Sequence, residues 1–457
     1  MARKETRAKY EIDMCSGSIW RKMLIFAVPL MCSSILQLLF NAADIIVVGR
    51  FAGDNSLAAV GSTSSLINLL VNLFMGLSVG VNVLVAHYFG GKQEKELHET
   101  VHTAILISIV SGVILTVVGV VCAKPILHLM QAPEEVLNLS AIYLKIYFLG
   151  MTAMMLYNFG SAILRAVGDT KRPLYYLFTA GVINVVLNLI FVIALKMDVA
   201  GVALATTISQ CISAFLVLRC LMKEEGSIRV DLRKLHIYKD KFKRILQVGL
   251  PAGLQGTIFS FSNVVVQSSI NSFGATIVAG SSAASNLEGF VYVSMNSLYQ
   301  AAISFTSQNV GAGKYERVNK ILYTALGCVL IVGLALGNGV VLFGKQLLGI
   351  YSSSPEVIEA GMVRLLYICM PYALCGMMDV MVGSLRGLGY AVMPMIVSLI
   401  GACGLRLLGI GTIFRVEEFH KISTIYVLYP ITWSITLAAH VVCFIIVRKK
   451  LAKRWGK

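Results

Sequence analysis

Charge is scarce in this sequence. Asp, Glu, Lys and Arg make up 14% of 457 residues, where an ordinary soluble domain carries about 25%. That excludes a conventional water-soluble enzyme of this length. Strict alternation of apolar and polar residues is also missing, which excludes a transmembrane β-barrel. None of the ten cysteines forms a C-x-x-C pair, and Cys32, Cys211, Cys328, Cys369, Cys403 and Cys443 fall inside apolar runs. They read as small buried residues, not as a disulfide framework. Gly311-Ala312-Gly313-Lys314 lacks the spacing of a phosphate-binding loop, so no ATP motif is available to drive work.

What is present is apolar sequence, 57% of the chain. It falls into runs of about twenty residues or more, each able to cross the hydrocarbon core as a helix. Backbone groups in lipid must pair internally, so such runs are helices. The chain reads as an all-α polytopic membrane protein with about twelve spans, near 18–49, 55–87, 99–123, 135–165, 172–197, 199–222, 244–273, 277–310, 318–343, 356–386, 391–414 and 424–447. The first run follows a basic tail but is too long for a cleaved signal peptide. The net charge of +16 is not spread evenly: about thirty of the 39 Lys and Arg fall on one side of this topology. Residues 1–17, the linker 223–243 and the tail 448–457 carry the densest clusters, while Arg50, Lys124, Lys196, Lys345, Arg415 and Lys421 fall on the other side. The positive-inside rule then places both termini in the cytoplasm of a plasma-membrane protein. The same distribution argues against nucleic acid as a partner; the expected partners are the bilayer and small molecules, and the expected state is a monomer.

The second half echoes the first. Pro29 and Pro251 lie 222 residues apart, as do Asn41 and Asn263; Gly90 and Gly311, Arg165 and Arg386, Gly168 and Gly389, and Pro173 and Pro394 lie 221 apart. Two lobes follow, 18–222 and 244–447. An even number of spans per half makes them parallel repeats, a plan suited to alternating access. Pro29 and Pro251 each remove a backbone hydrogen bond within a first helix and are candidate hinges.

Carboxyl groups in the hydrocarbon are expensive and mark functional candidates. Asp44 lies one turn after Asn41. Asn184 and Asn188 are spaced i, i+4 and share a face; Thr206 and Thr207 follow on the next span. A carboxylate with amide and hydroxyl oxygens can hold Na⁺, and the carboxyl alone can hold H⁺. A polar packing network without an ion is the alternative. Asp379 and Glu288 form a second candidate acidic site, with ion pairs to Arg364, Arg406 or Lys145 as the structural alternative. Tyr157, Phe259, Phe290 and Met295 are candidates to line a substrate cavity, through cation–π contact and adaptable packing, against the plainer reading as core or lipid-facing residues. His98-Glu99-x-x-His102 spells the H-E-x-x-H zinc signature. It sits where a loop enters the third span, has no evident third ligand, and is absent from the repeat counterpart 319–323; a non-enzyme without cofactor is expected.

The words FNAADIIVVGRFAG (40–53), GSAILRAVGDTKRP (160–173), INVVLNLIF (183–191), GVALATTIS (201–209) and GSLRGLG (383–389) occur in an order that resembles the multidrug and toxic compound extrusion (MATE) family over nearly all twelve spans. The resemblance implies two six-helix lobes in a V, exporting cationic or amphipathic organic compounds against H⁺ or Na⁺. It implies that Asp44 is the principal cation-coupling residue, with Asn184, Asn188 and Thr206 at positions that help form its site. One subgroup has a seventh-span Glu, here Phe259, and a tenth-span acid, here Cys375, with Asp379 one turn later. The pattern is closer to prokaryotic members that couple through the amino-terminal lobe. Two other readings remain: a flippase for lipid-linked precursors, which needs a strongly cationic cavity, and an intramembrane metalloprotease.

Overall fold

A computed structural model describes residues 10–129 and 134–454. The basic residues Arg3, Lys4, Arg7, Lys9 and Lys457 lie outside the described residues. Among the described residues the chain is helical throughout, without strands. The first half contains α1 (Ile19–Phe51), α2 (Asp54–Gly90), α3 (Glu94–Leu129), α4 (Glu134–Leu149), α5 (Met151–Ala166), α6 (Lys171–Asn188) and α7 (Asp198–Lys223). The second contains α8 (Lys239–Asn271), α9 (Ala275–Gly311), α10 (Arg317–Leu342), α11 (Gly344–Gly349), α12 (Pro355–Ile368), α13 (Ala373–Gly387), α14 (Val392–Ser398), α15 (Leu405–Gly411) and α16 (Ile422–Arg454).

Eight of these segments are long and apolar enough to cross a bilayer, and the pairs α4–α5 and α12–α13 add two more if each is one bent span. With α8 and α9, 33 and 37 residues long, the described chain provides the twelve expected. Those two carry so many Ser, Asn and Gln residues that hydropathy alone does not mark them, but at about 1.5 Å per residue each exceeds the hydrocarbon thickness.

The duplication is written into the backbone. Left-handed conformations recur at Gly53 and Gly274, at Lys92 and Gly313, and at Gly168 and Gly389. Each pair is 221 residues apart, so the same turns occupy the same places in both halves. The bend between α4 and α5 is 46°, and so is the bend between α12 and α13. The expected single spans 135–165 and 356–386 are thus each two helices, broken near Gly150 and at residues 369–372. A π-helical stretch occurs in each half too, Leu189–Ala194 after α6 and Leu399–Gly404 between α14 and α15.

The described chain divides into two units, one of residues 1–13 and 32–257, the other of 14–31 and 258–457. The division falls inside α1 and α8, near the two prolines, and not at the linker 223–243. In the first unit, the start of α8 packs on α2 through small residues. A Cβ on Gly76 would lie 2.1 Å from the Gly253 nitrogen, and one on Gly80 would lie 2.4 Å from the Ile245 oxygen. Only glycine permits this backbone-to-backbone approach, the small-xxx-small device of membrane helices. In the second unit the start of α1 packs on α9, with Phe26 and Phe305 edge to face at 5.8 Å.

Candidate cation site and supporting polar networks

Asp44 is half-buried on α1, and within the first unit two other helices supply its partners. Asn188 on α6 donates its amide N–H to Asp44 Oδ1. Thr206 on α7 donates its hydroxyl to Asp44 Oδ2 at 3.4 Å. Asn188 also donates to Asn184 Oδ1 at 2.9 Å, and the Asn184 amide reaches Thr206 Oγ1 and Ser209 Oγ, both at 3.3 Å. Asn184, Asn188 and Ser209 are buried. The i, i+4 spacing of the asparagines places both on the face of α6 that meets α1 and α7. Close packing makes this possible: a Cβ on Gly181, one turn before Asn184, would lie 1.8 Å from the Phe40 ring on α1. Directly after Asn188 the helix widens into its π turn, a device often found at functional positions.

Six oxygens therefore gather here: both of Asp44, the amide oxygens of Asn184 and Asn188, and the hydroxyls of Thr206 and Ser209. The Asn188 oxygen is buried without a partner. Among the described residues no Lys or Arg forms an ion pair with Asp44. Tyr143 and Tyr147, stacked with centroids 5.8 Å apart, lie close enough to feel its charge.

Two details of the sequence reading change. Asn41 is exposed and is not among the groups bonded to Asp44; three residues leave it about 60° around the helix from Asp44, off the packed face. Thr207, adjacent to Thr206, is tied instead to the Ile146 carbonyl at 2.9 Å. Ser209 was not anticipated, although its place one turn after Thr206 is a usable signal.

The second candidate site comes apart. Glu288 on α9 and Arg364 on α12 form a bidentate buried pair, with Nε–Oε1 at 2.7 Å and Nη2–Oε2 at 2.8 Å. Arg364 also donates to Ser281 at 2.8 Å and lies over the Tyr426 ring. Glu288 is thus neutralised in place. Asp379 is half-buried on α13 beside Tyr292, within the influence of Arg386. Of the candidate cavity residues, Met295 is 1% exposed and its sulfur fills the space beside Gly333 and Gly376; it is core. The Tyr157 hydroxyl donates to the Pro173 carbonyl at 3.1 Å, bracing α5 against α6. Phe259 and Phe290 are half-buried in the second unit.

The MatE family model matches residues 29–190 and again 251–410. The two matches begin at the two prolines and repeat the internal duplication. The chain belongs to the MatE family. Among its relatives, the "Probable multidrug resistance protein YoeA" of Bacillus subtilis is 29% identical over 430 residues, covering 92% of each chain. The "Probable multidrug resistance protein YpnP" of the same species is 26% identical, covering 86% of this chain and 88% of the relative. The fold matches a solved outward-facing MATE transporter with a TM-score of 0.90 at 22% identity, covering 96% of this chain and 98% of the other.

In this MatE protein the H-E-x-x-H residues belong to a docking site for the linker. Asp231 N–H donates to His102 Nε2 at 3.1 Å, while His102 Nδ1 faces the His98 carbonyl at 2.9 Å. Nε2 must accept, so Nδ1 carries the proton, and neither nitrogen is left for a metal. Thr103 accepts from Tyr238 N–H at 3.2 Å. The Lys241 ammonium is seated among Glu96, Glu99 and Asp240 and lies over the Tyr88 ring. Carboxylate oxygens of those three acids lie within 4.8 Å of one another, but the ammonium is their counter-ion. Burial works against the Lys241 charge, yet hydrogen bonds to Asp240 and Glu96 hold its affinity for the proton above the usual lysine value. The metalloprotease reading is withdrawn. Near the start of α6, Asp169 accepts from the N–H groups of Lys171 and Arg172 and pairs with the Arg172 guanidinium, which also reaches Glu224.

Proposed function

We propose that this protein exports organic compounds across the plasma membrane in exchange for H⁺ or Na⁺, with Asp44 as the ion-carrying group. The observation that carries the reading is a membrane-helix carboxyl group linked to amides and hydroxyls from two neighbouring helices and to no basic side chain. A charge in that setting is costly. A bound proton or Na⁺ removes the cost, and a substrate that displaces the ion exchanges one stabilising partner for another. Family membership and relatives described as multidrug resistance proteins support organic compounds as cargo.

The Asn188 amide sets the chemistry of the exchange. With its nitrogen on Asp44 it stabilises the ion-free carboxylate, at the cost of a buried, unpaired amide oxygen. Rotation of the amide by half a turn presents that oxygen to Asp44, which is favourable only with a proton or Na⁺ between them. Alternating access follows from the two repeats, with Pro29, on the helix that carries Asp44, and Pro251 as hinges. The linker and both termini face the cytoplasm, and the monomer is the transport unit. The flippase alternative loses one of the cations it needs, because Glu288 neutralises Arg364.

Dye efflux from vesicles under imposed pH and Na⁺ gradients tests this reading. Wild type accumulates or expels dye according to one gradient, and Asp44→Asn loses the gradient-driven component. Transport by Asp44→Asn at the wild-type rate under every gradient overturns the assignment.

A further inference from the structure

The second unit contains a buried guanidinium that nothing neutralises. Arg406 on α15 is 3% exposed. Its Nη2 donates to Thr432 Oγ1 at 3.3 Å, and its Cζ lies 3.8 Å from the centroid of the Tyr429 ring. Both partners come from α16 and both are neutral. Its Nε is buried without a partner, and its Nη1, which makes no hydrogen bond, is not sealed from solvent. Among the described residues no carboxylate forms an ion pair with it. The contrast with Arg364 in the same unit is direct, since Glu288 accepts from that guanidinium at two points.

A second unsatisfied group lies nearby. Ser262 on α8 is 1% exposed, and its hydroxyl has no hydrogen-bond partner. The Cys403 thiol neighbours both Ser262 and Arg406, so α8 and α15 bring the two groups to one place. Thr432 cannot serve as a further donor, because its hydroxyl donates to the Tyr429 carbonyl at 3.0 Å. The cluster therefore has an excess of donors and no acceptor, and a guanidinium in that state matches a planar oxyanion.

The backbone treats this place as it treats the Asp44 site. The π turn Leu399–Gly404 ends two residues before Arg406, as the π turn Leu189–Ala194 begins one residue after Asn188. In each half, the fifth span is thus distorted beside its most costly polar group. Ion coupling at Asp44 accounts for one of these distortions and leaves the other without a purpose.

We propose that Arg406 and Ser262 form an anion subsite in the second unit, which takes a carboxylate or similar oxyanion. The inference rests on the exporter reading for its source of ligand: the anionic group belongs to exported compounds that carry one. The same chemistry admits a free inorganic anion from solution.

The test uses the purified full chain in nanodiscs and two probes, a carboxylated xanthene dye and its ethyl ester, with binding followed by fluorescence polarisation. Wild type prefers the acid to the ester. Arg406→Gln reduces that preference about tenfold, the effect of one charge-assisted hydrogen bond. Ser262→Ala reduces it less, and Arg406→Lys, which keeps the charge, restores part of it. A preference unchanged in Arg406→Gln, or absent in wild type without the anion effect described next, overturns the proposal. Inorganic phosphate distinguishes the source: if it alters ester binding in wild type but not in Arg406→Gln, the subsite takes a free anion. If Arg406→Gln is not monodisperse, the Ser262→Ala and Arg406→Lys comparisons decide. Gradient-driven export of the ester tests the exporter reading separately.

Discussion

Asn188 presents its amide nitrogen to Asp44 and keeps its oxygen buried and unpaired, so the cation site is polarised before any ion arrives. Thr206 and Thr207 show how finely the site is defined. They are neighbours in sequence, but the turn of α7 between them sends one hydroxyl to Asp44 and the other to the Ile146 carbonyl. Thr206→Val is expected to change apparent ion affinity about threefold, which corresponds to ~0.6 kcal/mol for a hydrogen bond between membrane helices. Thr207→Val leaves ion affinity at the wild-type value, and ion titration of dye binding checks both. The individual members of this site were legible in the sequence, because a lone intramembrane Asp and an i, i+4 Asn pair are conspicuous in apolar runs. Their convergence was not legible, since nothing in a helical repeat says which neighbour its polar face meets. Asn41 was misplaced for the same reason: its offset of about 60° from Asp44 decides exposure only once the packed face is known.

Helix contacts divide the remaining acids into different roles. Glu288 and Arg364 join α9 to α12 through two parallel hydrogen bonds in a buried setting. Glu288→Gln or Arg364→Met alone leaves one uncompensated charge and is expected to lower stability by about 3–5 kcal/mol. Removing both, as Glu288→Met with Arg364→Met, recovers most of that loss and retains gradient-driven efflux. Thermal unfolding in detergent and vesicle transport, measured on the three variants, separate a structural pair from a coupling acid. The helices themselves were largely readable from hydropathy. The exceptions have physical causes: α8 and α9 are too polar for a hydropathy test, and the 46° bends follow local backbone breaks at Gly150 and residues 369–372. The π turns leave no mark on composition, because they add a residue to a turn without changing which residues are apolar.

At the scale of the whole molecule, each unit takes in the beginning of the other half's first helix. In the first unit, Lys241 and Arg244 at the start of α8 meet Tyr88, the arginine through Nη1 at 2.7 Å from the hydroxyl. In the second, the Met14 carbonyl accepts from Asn309 at 3.0 Å and the Cys15 carbonyl from Lys314 at 2.8 Å. Tyr88 and Asn309 are 221 residues apart, so the two docking points are repeat-related. His102 fixes the linker to the first of them. His102→Ala is expected to speed amide exchange across residues 229–238, while transport remains insensitive to metal chelators; hydrogen-exchange mass spectrometry follows the first and vesicle efflux the second.

The account as a whole depends on the carboxyl group of Asp44 exchanging an ion for substrate. The most direct measurement is ion release on substrate binding, in weakly buffered detergent solution with a pH indicator and a Na⁺-selective electrode. The wild-type protein is expected to release a proton or a Na⁺ as dye binds, and Asp44→Asn to bind dye without releasing either. Equal release from both proteins contradicts the account.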